Sequence, residues 1–393
     1  MNEVFPARTR GDAAAPEWAA FRALFPTLEH KAFLASGSYG LLARPVEAAV
    51  RRYLDDRLER GVDWPGWGER TEAVRGGMAA LLNAHPDEIA VTTSASEGIN
   101  ALASALDFSG SRNKVVVSNF EFPTGAQIWH AQEPRGAVVE HVPEARDGSI
   151  PLEHFAAAID ESTRLVQVTH VCYRNGQRLD VEAIARLAHE RGALVLLDAF
   201  QSVGALDIDV AALGIDFAVG GTLKYLLGTA GIAWLYVARR HLGLTPTAGG
   251  WFAQADIDAM DIFANVPSPT ARRFQSGTPP VVNSYAAEAG IDLIRSTGIR
   301  AIEARIRELT GEAMDRLADS GCRLATPRDD ARRGPQVAIR STDPALLTQK
   351  LAERGVVASW RDGNLRAMFH AYNDASDVDA LIEGLLAHRD LLA

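Results

Sequence analysis

Between residues 88 and 237, seven short runs of apolar and β-branched residues alternate with stretches whose apolar positions recur at helical spacing. The runs lie at 89–93, 114–118, 137–142, 165–169, 193–198, 217–220 and 232–237, and helices are expected between several of them, for example at 97–106 and 181–191. Runs this short and this uniformly apolar are strands buried on both faces, and the helices between them are the crossovers that parallel pairing requires. The pattern therefore predicts an α/β fold with a mainly parallel seven-stranded sheet between helices. The last run follows its predecessor too closely for a helical crossover, so it is expected to be antiparallel.

The remainder of the 393 residues divides around this block. An N-terminal arm is expected at 1–30, with one short helix at 18–25. A helix is expected at 43–58, then a loop at 61–68 (GVDWPGWG), then a second helix through 82. The large domain extends over 31–280 and ends in a Pro- and Gly-rich passage at 243–280. A long connecting helix is expected within 281–321. A small α+β domain occupies 322–393, with strands at 336–339, 356–360 and 364–367 and helices at 345–354 and 376–392.

Composition excludes several classes. Forty basic against fifty acidic side chains leave a net charge of −10, which argues against a polyanion-binding protein and so against nucleic acid as a partner. No apolar run approaches the roughly 18 residues of a membrane span, and the first residues lack the apolar core of a secretory signal. Two cysteines, Cys172 and Cys322, build neither a disulfide framework nor a typical zinc site. A reducing cytoplasm is the expected compartment, and no metal is expected.

The segment GALVLLDAFQSVGALDIDVAALGIDFAVGGTLKYLLG at 192–228 carries the chemistry. One apolar strand ends at Asp198, a second ends near Gly220, and Lys224 lies just beyond. Ligands of open α/β sheets bind outside the carboxyl ends of the strands, so both residues belong on the ligand rim. An Asp and a Lys placed so suit pyridoxal phosphate: the carboxylate keeps the pyridine nitrogen protonated and the lysine forms the internal Schiff base. Taken singly, Asp198 could as well cap a helix and Lys224 be a solvated lysine.

Residues 165–237 resemble the class V aminotransferase group of fold-type I pyridoxal-phosphate enzymes, and the resemblance extends over about 30–390. The group includes cysteine desulfurases, kynureninases, isopenicillin-N epimerase-like proteins and cysteine-conjugate C–S lyases. The 26-residue interval from Asp198 to Lys224 and the placement of Gln201 three residues after the Asp match it. The resemblance implies that Gln201 hydrogen-bonds the cofactor's phenolic oxygen. It implies that Ala95 and Ser96, in TTSASEGIN, hold the phosphate at a helix N-terminus. Phe122, in SNFEFPTG, is implied to lie on the pyridine ring. Tyr173, in THVCYRNG, either reaches the cofactor oxygen or packs. Gly277 and Thr278, in RFQSGTPP, are implied to cross a dimer interface to the partner's phosphate, which makes the protein a homodimer. Arg366, in GNLRAMFH, is implied to bind the substrate α-carboxylate, with Ser38 and Tyr39 at the substrate entrance.

Some positions depart from the group. The residue before the lysine is Leu223, which has no donor where relatives carry His or Tyr; Thr222 is expected to substitute. A persulfide-forming desulfurase needs a loop cysteine near position 351, and none is there. Phe122-Pro123-Thr124, Tyr173-Arg174 and Gly250-Trp251-Phe252 are kynureninase-like, and Arg174 itself has no assignable role. The resulting expectation is a pyridoxal-phosphate enzyme acting on an α-amino acid by Cβ cleavage. A C–S β-lyase on a cysteine conjugate, in secondary metabolism, stands slightly ahead of a kynureninase-like hydrolase. Aminotransferase, epimerase and decarboxylating branches remain open.

Overall fold

The computed structural model describes residues 16–393. The first half of the expected N-terminal arm lies outside the described residues. Helix α1 (Trp18–Arg22) is followed by a 3-10 turn at Pro26–Glu29 and the short strand β1 (Ala32–Phe33). Helix α2 (Arg44–Arg60) leads into α3 (Trp64–Leu82) after only three residues. The loop expected at 61–68 is therefore mostly helix. The Asp63 side chain accepts from Gly66 N–H, and Pro65 sits in the first turn, where its missing N–H costs nothing.

The central sheet comprises β2 (Ile89–Thr92), β3 (Lys114–Ser118), β4 (Val138–Val142), β5 (Thr163–Thr169), β6 (Leu194–Asp198), β7 (Phe217–Gly221) and β8 (Ala233–Val237). Its order is β2-β8-β7-β6-β5-β3-β4. Strands β3 to β7 are mutually parallel, while β8 runs antiparallel to both neighbours, as its short connection requires. Side chains alternate between two cores. Val116, Val166, Val195 and Leu197 enter one, and Val115, Val117, Leu165 and Leu196 enter the other. Helices α4 (Ala95–Ala105) and α5 (Pro123–His130) pack against the second core. Helices α6 (Leu152–Ala158) and α7 (Val181–Glu190) pack against the first.

The helix expected within 281–321 is two helices, α8 (Val281–Thr297) and α9 (Ile299–Asp319). Gly298 separates them with φ +92°, a conformation that favours glycine, so the apolar periodicity continues while the axis does not. Strand β9 (Gln336–Arg340), helix α10 (Pro344–Glu353), strands β10 (Val356–Val357), β11 (Ser359–Arg361) and β12 (Asn364–Met368), and helix α11 (Ala375–Leu386) complete the chain. The strand expected at 356–360 is split at Ala358: β10 pairs with β1, whereas β11 joins β12 and β9 in an antiparallel sheet. A third core unites Leu34 with Leu309, Leu317, Ile339, Leu351 and Leu381. No helix among the described residues is long and apolar enough to cross a membrane.

Replacing Gly298 with Ala forces an L-residue into the +92° conformation and is expected to cost about 1–3 kcal/mol. A lowered apparent Tm with unchanged helical circular dichroism is the expected result.

Candidate active site

The parallel strands present their carboxyl ends together. Ser118 ends β3, Thr169 ends β5, Asp198 ends β6 and Gly221 ends β7. Thr169 and Asp198 are register partners across the β5–β6 pair. Beyond this edge lies a cavity of about 450 Å³, lined by residues from every one of these turns. Asp198, Lys224, Gln201, Ala95, Ser96, Phe122, Tyr173 and Ser38 all line it. These residues come from six separate parts of the sequence, and the fold converges them.

Lys224 Nζ lies 4.3 Å from the centre of the Phe200 ring and 6.0 Å from that of Phe122. Burial pushes its ammonium down to about 8 from an ordinary 10.5; the Asp198 charge resists this and the Arg366 charge adds to it. Burial likewise raises Asp198 above the usual carboxylate range, against the Phe200 N–H and the Lys224 charge. The Asp198 carboxylate accepts the Phe200 N–H at 2.9 Å, which fixes its orientation at the strand end. Both shifts have one cause: a floor too poor in water to support either charge fully.

Another part of the cavity wall is made by helix N-termini. Ser94 caps α4, accepting from Glu97 N–H, so Ala95 and Ser96 occupy its first turn. Phe122 precedes α5, whose first turn carries Thr124, and the Ser96 and Thr124 hydroxyls lie 3.5 Å apart. Two helix N-termini thus face one space, and their unpaired N–H groups attract negative charge. Phe122 meets Tyr173 edge-on, with centroids 5.3 Å apart. Gln201 Nε2 donates to Gly37 O at 3.0 Å.

Other expected site residues lie elsewhere. The Thr222 hydroxyl is buried and donates to Thr229 O at 3.0 Å, so Thr222 does not take the role expected of it. It is not among the lining residues, although Gly221 and Leu223 on either side of it are. Tyr39 is not itself a lining residue, but its hydroxyl accepts the N–H of Ala230, which is, at 3.0 Å. Gly277 and Thr278 are exposed and do not line this chain's cavity. Arg366 stands behind the lining: its Nη1 donates to Tyr173 O at 2.6 Å, and its buried Nε has no partner. Burial pushes its guanidinium down to about 10.

The family model for class V aminotransferases matches residues 66–381. The chain belongs to that family. The uncharacterised aminotransferase YcbU of Bacillus subtilis is 35% identical over 93% of this chain and 97% of its own length. A kynureninase of Deinococcus radiodurans is 33% identical over 92% of this chain and 90% of its own length. Among solved structures, a cysteine desulfurase of Thermococcus onnurineus superposes with a TM-score of 0.85 at 22% identity, covering 97% of this chain and 99% of that one. The cystine C–S lyase C-DES, with its product cysteine persulfide, superposes at 0.84 and 20% identity, covering 92% of this chain and 98% of that one. These structures share the fold-type I architecture.

The cofactor of the family, and of this chain, is pyridoxal 5′-phosphate. The cavity fits it. The floor pairs a carboxylate with an amine, another part of the wall offers two helix N-termini, and the buried Thr169 hydroxyl has no partner. Residues unassigned by sequence also belong here. Phe200 lies under Lys224, and a Cβ on Gly221 would collide with its ring. Thr124 joins Ser96. Arg174 binds Glu144, Asn119 O and Asp362, tying the Phe122 loop to the β11–β12 turn.

Lys224 binds fewer protons folded than unfolded between pH 8 and 10.5, so its contribution to stability is complete above that window and is lost as pH falls through about 8. The cofactor-free Lys224→Met protein is therefore expected to melt higher than wild type at pH 7, with the gap closing by pH 10.5. Thermal melts across this range check it.

Proposed function

We propose that this chain is a pyridoxal-phosphate-dependent lyase that cleaves the Cβ–S bond of an S-substituted cysteine. The observation that carries the reading is the acid–base content of the cavity. Among its lining residues, the titratable side chains are Lys224, Asp198 and Tyr173, and Lys224 alone is a base poised near neutrality. When bound, the cofactor supplies an electron sink that makes a Cα bond labile. Lys224 is the group placed to remove the Cα proton, since burial already lowers its ammonium and favours the free amine. A thiolate departs from Cβ without an accompanying proton, because thiols ionise near 8.5. One base therefore suffices; the thiolate takes up the proton as thiol, and one water hydrolyses the remaining three-carbon fragment to pyruvate and ammonia.

The other residues hold rather than react. Arg366 is assigned to the α-carboxylate: its Nη1 is anchored on the O of Tyr173, a lining residue, which holds the guanidinium directly behind the cavity wall. Asp198 holds the ring nitrogen, Gln201 the phenolic oxygen, and Ala95 and Ser96 the phosphate. Phe122 covers one ring face, and Ser38 lies at the entrance. Gly277 and Thr278 reach the partner's phosphate in a homodimer. Their exposure away from this chain's own cavity supports that assignment, as do the exposed Ile262 and Phe263 on the same segment. Two free, buried cysteines fit a reducing cytoplasm. Burial pushes Cys172 up to about 11, which disfavours a thiolate nucleophile there.

A kynureninase-like hydrolase is the second reading. The Phe122-Pro123-Thr124 and Tyr173-Arg174 motifs favour it, as do the kynureninase relatives. Adding water to a side-chain carbonyl and protonating Cβ call for a second acid–base group, and Tyr173 is the candidate.

Purified protein is expected to show a visible cofactor band that Lys224→Ala abolishes. With S-substituted cysteines it should release thiol and pyruvate together. Alanine and an aryl acid from kynurenine, with no pyruvate from the cysteines, would replace the first reading with the second. Arg366→Lys is expected to raise KM about tenfold or more while leaving the cofactor band in place.

A further inference from the structure

Glu121 precedes Phe122 and is almost fully enclosed, at 7% exposure. Its carboxylate is held by donors on every side. Trp129 Nε1 donates to Gln167 Oε1 at 2.6 Å. An indole N–H can only donate, so the Gln167 amide is fixed with its NH₂ toward Glu121. Gln167 Nε2 then donates to Glu121 Oε2 at 2.7 Å. Thr169 N–H and the Ser118 hydroxyl donate to Oε1 at 2.8 and 3.0 Å. None of these three partners carries a charge. The wiring selects the ionised carboxylate yet supplies no counter-ion. Gly125 is part of the design, since a Cβ there would collide with Gln167 Nε2.

The backbone N–H that Glu121 accepts belongs to Thr169, the register partner of Asp198. Glu121 is thus one strand behind Asp198, and Thr169, whose buried hydroxyl is unpartnered, stands between them at the cavity wall. Burial penalises the charge of Glu121 behind the wall and of Asp198 on it, and Lys224 is the one amine that lines the cavity. Burial, and after it the Asp198 charge, push Glu121 up to about 7. A cation at the floor relieves both.

We infer that Glu121 is a positioning residue for the cofactor, adding to the field of Asp198 a second negative charge that retains the proton on the ring nitrogen. The inference rests on the cofactor placement proposed above. It gives Glu121 no contact with the ring. Its action is through space and through the hydrogen bonds that hold Thr169 beside Asp198.

The test compares affinities, measured by quenching of tryptophan fluorescence, for pyridoxal phosphate and for its 1-deaza analogue, in which carbon replaces the ring nitrogen. Wild type is expected to prefer the natural cofactor. In Glu121→Gln that preference should fall on the order of tenfold, equivalent to one pKa unit. Glu121→Asp, which keeps the charge, should retain most of it even where both affinities drop. Equal loss for both ligands in Glu121→Gln, or an unchanged preference, would overturn the inference and leave Glu121 a purely structural residue. A wild-type protein that binds neither ligand would instead overturn the cofactor placement itself.

Discussion

Parallel pairing of β3, β5, β6 and β7 is the constraint on which the site depends. Because the four strands run the same way, their carboxyl ends open on one edge, and the turns beyond them converge on one cavity. The same pairing buries both faces of the sheet, so the edge is dry below and open above. That gradient acts on the site's charged groups: it drives Lys224 toward its neutral form and Asp198 toward its protonated form.

Much of this was legible in the sequence. The seven strands could be read because each is a short apolar run, and the antiparallel β8 because its connection is short. Asp198 and Lys224 could be placed at strand ends on the same grounds. Less legible were features decided by a single side chain or by distant partners. WPGWG has loop composition, but one cap at Asp63 turns it into helix. The break at Gly298 interrupts no apolar pattern. Thr222 was expected to substitute for the donor that relatives carry before the lysine, whereas its hydroxyl is spent on Thr229 O, seven residues along the chain. Glu121 meets Gln167 and Thr169 across 46 and 48 residues, a pairing that only strand order reveals.

Arg174 shows how the two sheets are kept in register. Its guanidinium spans Glu144, Asn119 O and Asp362, while the adjoining Tyr173 carbonyl is held by Arg366. The wall carrying Phe122 and the strand carrying Arg366 therefore meet through neighbouring residues of one loop, so a small shift of the C-terminal sheet is felt at both Phe122 and Arg366.

The pairing of β1 with β10, and the place of Leu34 in the third core, has a consequence for biosynthesis. Leu34 leaves the ribosome early, but the strands and helices that cover it lie beyond residue 300. At about 5–20 residues per second, the interval is on the order of tens of seconds. During it the central sheet is already able to form, while Leu34 lacks the partners of its own core. The last core closes only when the chain's two ends meet, so late truncations disable an early segment.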